Sequence, residues 1–216
     1  MKTFRRQLLD ECLDRHKALI TGRVLDIGGK KRNKRGSFEP VLDHVKRWQY
    51  LNIDDSTGPD FCCNAENIPL EDRSVDTVIL TEVLEYLPNP RKVFREAERI
   101  LSKDGHILVS SPFLVPIHGD YWADRARYTP VMIEEIVESS GLEISLIEPM
   151  GSVGTIIFDL LHVATGYAAK NSRSVRPLRL ILHVRWLFRL LDNCFSYQKE
   201  YLNSGYFIVL GKKAPR

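Results

Sequence analysis

The sequence predicts an α/β protein, a doubly wound and mainly parallel sheet flanked by helices, and three observations carry that prediction. Over residues 1–150 short β-type runs alternate with segments of helical spacing, the pattern of successive βαβ units. The runs end in small or polar residues, Gly28, Asp54, Asn64, Thr81 and Ser111, which is where an open parallel sheet presents its ligand-binding edge. The alternation then stops, and residues 151–203, largely helical in pattern and basic, separate it from one last apolar run.

The β-type runs fall at 23–27, 50–53, 60–63, 75–80, 106–110, 142–147 and 206–210. An N-terminal helix is expected within 1–20. Pro90 opens a helix whose core face is Val93, Phe94, Ala97, Ile100 and Leu101, with a stop expected at Asp104-Gly105. Thr129 is a natural N-cap before Pro130, and Ile133, Ile136 and Val137 follow at helical spacing up to Gly141. Residues 177–192 read as one basic amphipathic helix. Leu180, Ile181, Val184, Leu187, Phe188 and Leu191 share one face, with Arg179, Arg185 and Arg189 on the other. That helix packs on its own domain, lids the acceptor pocket or lies on an anionic bilayer.

Composition narrows the class. A chain of 216 residues, 44% hydrophobic and 27% charged, is globular and of a size for one domain spanning 1–216, with 151–203 as a helical insertion or lid. A formal net charge of +3 is too small to predict a nucleic-acid partner. The four cysteines form no CxxC pair, and adjacent Cys62-Cys63 cannot act as two spaced zinc ligands, so reduced thiols and no metal are expected. Charges run through the first twenty residues, where a secretion signal needs an apolar core, and Asp159 and His162 interrupt the best apolar stretch. The expected location is cytoplasmic, with any membrane contact peripheral to its inner face.

Glycines after the first run let the chain approach a ligand closely, and a carboxylate at the end of the second, Asp54, can accept both hydroxyls of a ribose. The pair implies a nucleoside-containing cofactor. A nicotinamide dinucleotide fits poorly, because Gly28-Gly29-Lys30-Lys31-Arg32-Asn33 lacks the GxGxxG spacing.

Five segments in order, Val24-Leu25-Asp26-Ile27-Gly28, Asp54, residues 64–78, Val83-Leu84-Glu85-Tyr86 and Ile100-Leu101-Ser102-Lys103-Asp104-Gly105, resemble the class I S-adenosylmethionine-dependent methyltransferases. The likeness is to the small-molecule branch around the menaquinone and ubiquinone methylases, over about residues 20–150. It implies a Rossmann-like seven-stranded sheet, mostly parallel, whose last strand is antiparallel and pairs with the run near 142–147. It also implies that Asp26, Gly28 and Gly29 line the methionine end of S-adenosylmethionine and that Asp54 holds the ribose. Asn64, Ala65 and Glu66 would flank the adenine, and Thr81 and Glu82 would lie beside the sulfonium. The chain departs from the family pattern at Lys30, where a second loop glycine is usual, at Asn64 for aspartate, and at Tyr86 for histidine. Lys30 can crowd the cofactor's amino-acid moiety or pair with its carboxylate.

The loop over 112–128 sits at the same edge and supplies the acceptor-side candidates. His118 has the intrinsic pKa of a general base, with Asp120 placed to orient it, or else it caps the loop. Tyr121 and Trp122 add aromatic surface, and Arg125 and Arg127 are either an anion clamp or solvated residues before a helix. This pattern is similar to methyltransferases of surface-polysaccharide pathways, which implies O-methylation of a small-molecule, sugar or lipid-linked saccharide hydroxyl. The basic run 30–35 attracts an anionic substrate or is solvated surface. The alternative function is a non-catalytic binding or scaffold protein with an altered glycine loop.

Overall fold

A computed structural model describes residues 2–30, 37–38, 43–117, 119, 122–171 and 179–213. Its strands are β1 (Gly22–Ile27), β2 (Val45–Asn52), β3 (Phe61–Cys62), β4 (Val75–Thr81), β5 (Leu101–Pro112), β6 (Leu142–Met150) and β7 (Gly205–Lys212). Its α-helices are α1 (Phe4–Arg15), α2 (Pro90–Ile100), α3 (Pro130–Glu138), α4 (Val153–Asn171) and α5 (Arg185–Cys194). The strands form one seven-stranded sheet in the order β3-β2-β1-β4-β5-β7-β6. All pairings are parallel except those of β7, which runs antiparallel to both β5 and β6, as the resemblance implies.

Alternation along the central strands divides the core between the two faces of the sheet. Val78, Leu80, Ile107, Val109, Ile208 and Leu210 pack with Phe94, Ala97 and Ile100 of α2 and with Ile133 and Ile136 of α3. Their neighbours Ile79, Leu108, Phe207 and Val209 pack on the opposite face with Leu9, Cys12 and Leu13 of α1. Strands covered on both faces read as continuous apolar runs, which is why the runs stand out in the sequence. The helix openings follow their signals: Asn89 and Thr129 accept hydrogen bonds from the third residue after each, with a proline at the start of each helix.

Three expected boundaries move. The helix from Pro90 ends at Ile100, because Leu101 already pairs with Val75 at the start of β5. The pairing then jumps to Thr77 with His106, so the supposed stop Asp104-Gly105 is a bulge inside the strand. β2 starts at Val45 and ends at Asn52, leaving Ile53 77% exposed beyond it. Residues 177–192 are not one helix. Positions 177 and 178 lie outside the described residues, 179–183 form a 3₁₀ turn, and α5 starts at Arg185.

The expected faces of that segment are also mixed, with Phe188 and both α5 arginines turned inward. Arg185 donates to the Lys2 carbonyl and Gln7, Arg189 donates to Glu11, and both guanidinium groups stack over the Phe4 ring. Phe188 is buried with Phe4 and Phe158, whereas Leu180, Ile181 and Leu187 point to solvent. The long aliphatic stems and planar heads of the arginines suit an aromatic floor, and this overrides the simple polar-out pattern.

Two buried carboxylates fix the helices between β6 and β7. Asp159, inside α4, accepts from the amides of Phe4 and Arg5 at 2.7 and 2.9 Å and so caps α1 from outside its own sequence. Burial raises its pKa, opposed by those amides. Asp192 of α5 accepts from the Ser152 and Thr155 amides at 3.1 and 2.9 Å and from the Thr155 hydroxyl, capping α4 in the same manner. Among the described residues no helix is long and apolar enough to cross a membrane.

Candidate functional site

Parallel pairing of β1 with β2 and β4 brings the ends of three strands together at the point where the chain reverses its direction of travel across the sheet. Gly28 leaves β1 with φ of 74°, its amide donating to the Leu51 carbonyl at 2.7 Å. A Cβ there would lie 2.4 Å from Val83 Cγ2, and one on Gly29 would lie within 2.7 Å of the Asp26 carboxylate. Only a bare backbone fits, which leaves a cradle of main-chain atoms above buried Asp26. Asn52 pins this loop, its amide donating to the Gly29 carbonyl at 3.1 Å. The sequence reading missed Asn52, although a polar residue two positions before Asp54 was a signal for it.

Asp54 stands exposed beside the cradle, with one carboxylate oxygen accepting from the Ser56 hydroxyl at 2.6 Å and the Ser56 amide at 3.0 Å. Those hydrogen bonds lower its pKa, and the Lys30 ammonium adds to the effect. Lys30 is itself exposed, so it lies on the rim and its field acts on Asp54. The remaining basic run, 31–35, lies outside the described residues.

Across the edge, the Asn64 side chain accepts from the Glu66 amide at 2.9 Å, Ala65 is buried, and Glu66 pairs with Lys92 at 3.5 Å. Arg99 of α2 holds this loop by donating to the carbonyls of Ile68 and Leu70 and to Asp72, at 2.8 to 2.9 Å. Glu96 completes the clamp by accepting from the Ile68 amide at 2.9 Å and from Arg99. The segment from 64 to 74, ahead of β4, is thus a loop fastened to α2 through its backbone.

Thr81 is buried at the end of β4, and Glu82 follows with φ of 58°, a left-handed conformation that costs a non-glycine residue about 1 kcal/mol. Two contacts hold it. The Ser110 hydroxyl accepts from the Glu82 amide at 3.0 Å and donates to its carboxylate at 2.8 Å, and Arg5 of α1 forms an ion pair with the other oxygen. Burial lowers the Arg5 pKa, and the nearby Glu85 and Asp159 carboxylates oppose that. Arg5 was not foreseen: it lies 77 positions from Glu82 and carries no motif of its own.

His118, Asp120 and Tyr121 lie outside the described residues. Gly119 between them, with φ of 69°, sits where a Cβ would be 2.4 Å from the Tyr86 hydroxyl, which places the loop at the β4 edge. Burial, with Glu85 and Asp124 nearby, pushes the Tyr86 pKa up to about 12. Arg127 makes a two-pronged ion pair with Asp124, whose side chain is 1% exposed, and its pKa is raised by that contact. Arg125 is exposed, with its amide donating to the Glu85 carbonyl at 2.9 Å, and Trp122 is 85% exposed. Among the described residues no cluster of side chains could hold a metal ion.

Comparison with known proteins agrees with this geometry. Residues 41–109 match a family model described as a methyltransferase domain. A ubiquinone/menaquinone biosynthesis C-methyltransferase from Bartonella henselae is 29% identical over 113 residues, 50% of this chain and 36% of that protein. The match therefore spans about a third of the relative's length. Among solved structures, a SAM dependent methyltransferase from Archaeoglobus fulgidus superposes with a TM-score of 0.57 at 15% identity, covering 96% of this chain and 94% of that one. An O-methyltransferase from a trans-AT PKS multienzyme of Brevibacillus brevis, in complex with S-adenosyl-L-homocysteine, gives 0.58 at 16% identity over 98% and 80%. At such identities the two structures speak for the fold.

Proposed function

We propose that the chain is a class I S-adenosylmethionine-dependent methyltransferase that transfers a methyl group to a hydroxyl oxygen of a small-molecule, sugar or lipid-linked saccharide acceptor, in the cytoplasm; the fold and the match over 41–109 support this. The observation that carries the reading is the side-chain-free cradle at Gly28 and Gly29 with Asp54 beside it on the adjoining strand end. Such a backbone cradle fits a cofactor with an amino-acid end, and an exposed carboxylate of lowered pKa, ionised at neutral pH, fits a ribose diol.

In this reading Asp26, Gly28 and Gly29 bind the methionine end, Asp54 the ribose, and Asn64, Ala65 and Glu66 the adenine. Thr81 and Glu82 border the reacting centre. The cofactor supplies a methyl group already activated on sulfur, so the protein's tasks are to align the acceptor and exclude water. Glu82, clamped between Ser110 and Arg5, keeps the floor of the site rigid. His118, oriented by Asp120, takes the hydroxyl proton, while Tyr121, Trp122 and Arg125 receive the acceptor. Arg127 shapes the same loop through Asp124.

Calorimetric titration with S-adenosylmethionine, followed by turnover assays on glycoside and lipid-linked saccharide acceptors for the parent and His118→Ala, tests both levels. Binding with acceptor-dependent formation of S-adenosylhomocysteine supports transfer. Failure to bind the cofactor would leave the scaffold reading in its place.

A further inference from the structure

We infer that the outward face of the α4–α5 hairpin is a docking surface for an anionic lipid membrane. The two helices run antiparallel at close range: a Cβ on Gly154 would lie 1.9 Å from the Phe188 carbonyl oxygen, and Asp192 reaches Ser152 and Thr155. Their inner faces are satisfied by Phe158, Phe188 and α1. The outer face shows Ile157, Leu160 and Tyr167 from α4, Trp186 and Leu190 from α5, and Leu180 from the preceding turn, all exposed, Leu180 at 68% and Trp186 at 66%.

What makes this face unusual is the place of the charges. Residues 153–168 contain no Lys, Arg or Glu, and their one Asp, Asp159, is buried as the cap of α1. The charged residues of α5, namely Arg185, Arg189 and Asp192, all engage inward partners. Over residues 153–168 and α5 the apolar face is therefore free of charge, whereas an ordinary surface helix carries its charges outward.

Charge adjoining the face in the sequence selects the occupant. The sequence from 170 to 179 contains Lys170, Arg173, Arg176 and Arg179 and no acidic residue, a cationic stretch that complements anionic headgroups beside an apolar layer. Tryptophan and tyrosine among the exposed residues suit the headgroup boundary, where a ring has one apolar side and one wet edge. A second copy is the poorer occupant, because a two-fold contact presents the same patch twice and brings Arg179 of both copies to one interface. The surface is independent of the methyl acceptor and stands whether or not the acceptor is a lipid.

Co-sedimentation of the full chain with vesicles of phosphatidylcholine alone and of phosphatidylcholine with phosphatidylglycerol tests this, at low and high salt. The expected result is binding to the anionic vesicles, weakened by salt, and reduced about tenfold or more by Trp186→Glu and by Leu190→Glu. Both positions are exposed, so thermal midpoints should match the parent. Leu160→Ser, which removes apolar surface without adding charge, and Arg179→Glu provide separate readouts if either glutamate variant fails to fold. Absence of parent binding to anionic vesicles overturns the inference, as does binding that survives these substitutions. A dimer in sedimentation velocity that the same variants dissolve also overturns it and assigns the face to a second copy.

Discussion

At the β1–β2–β4 edge the contacts that shape the site come from strand ends and the turns that leave them, such as Gly28 to Leu51, Asn52 to Gly29, Asp54 to Ser56 and Asn64 to Glu66. The α4–α5 hairpin is held differently, by carboxylates acting at a distance in sequence: Asp159 on Phe4 and Arg5, and Asp192 on Ser152 and Thr155. The first region is set by local backbone geometry within the sheet's own topology. The second is docked by single buried groups that cap helices other than their own. The two meet at Arg5, whose amide Asp159 caps and whose guanidinium pairs with Glu82, whereas Asp192 touches neither and should be breakable without the site.

The hairpin gives the largest effect. Asp192→Ala strands the Ser152 and Thr155 amides and the Thr155 hydroxyl in a buried site, so about 3 kcal/mol of unfolding free energy should be lost. Urea unfolding measures this, and S-adenosylmethionine affinity should stay within about twofold of the parent, since no contact of Asp192 reaches the cradle. A large loss of affinity would show that the hairpin and the cradle are one cooperative unit. Next in size, Gly28→Ala places a methyl group 2.4 Å from Val83 Cγ2 at a φ of 74°. About 2 kcal/mol of stability should go, together with cofactor affinity. If stability falls while affinity holds, the cradle is not where the cofactor binds.

How much of each region could be read from sequence follows the same division. The turn at Gly28, the helix start at Pro90 and the cap Thr129 were legible because a turn or a helix start needs particular residues at particular positions. The antiparallel placement of β7 followed from the family likeness. Asp104-Gly105 misled because glycine and aspartate also suit a bulge, and only the pairing of Leu101 with Val75 decides between bulge and turn. The sidedness of α5 was illegible for a different reason. Helical periodicity separates two faces without saying which one meets the protein, and the aromatic floor of Phe4 and Phe158 that draws in Arg185 is remote in the chain. Asp159 read as an interruption of an apolar stretch, since a cap for a helix 155 positions away leaves no local trace.

A smaller effect is expected at the rim of the cradle. Asp54→Ala should weaken S-adenosylmethionine binding by about tenfold, the loss of a charge-assisted acceptor for ribose hydroxyls. Its stability should hardly change, because the carboxylate is exposed and, among the described residues, accepts hydrogen bonds from Ser56 alone. Calorimetric titration of the variant measures this, and an unchanged affinity would reject the ribose assignment while leaving the fold in place.

The smallest effect separates charge from geometry within the local region. Arg99, donating first to Glu96, and the Ile68 amide together hold the Glu96 pKa below the ordinary carboxylate value. The unfolded chain, lacking the clamp, binds the proton more tightly, so the contribution is fully present above the ordinary glutamate pKa. It is lost as pH falls through the lowered folded value. Solvent screening limits it to below about 1 kcal/mol. Urea midpoints of the parent and Glu96→Gln across that pH range should therefore converge on acidification, the parent being the more stable near neutrality. Faster exchange of the Ile68 amide in the variant would accompany the loss, because that amide donates to the exchanged side chain. A difference that stays constant with pH would mean that the shape of the side chain, and not its charge, fastens the loop to α2.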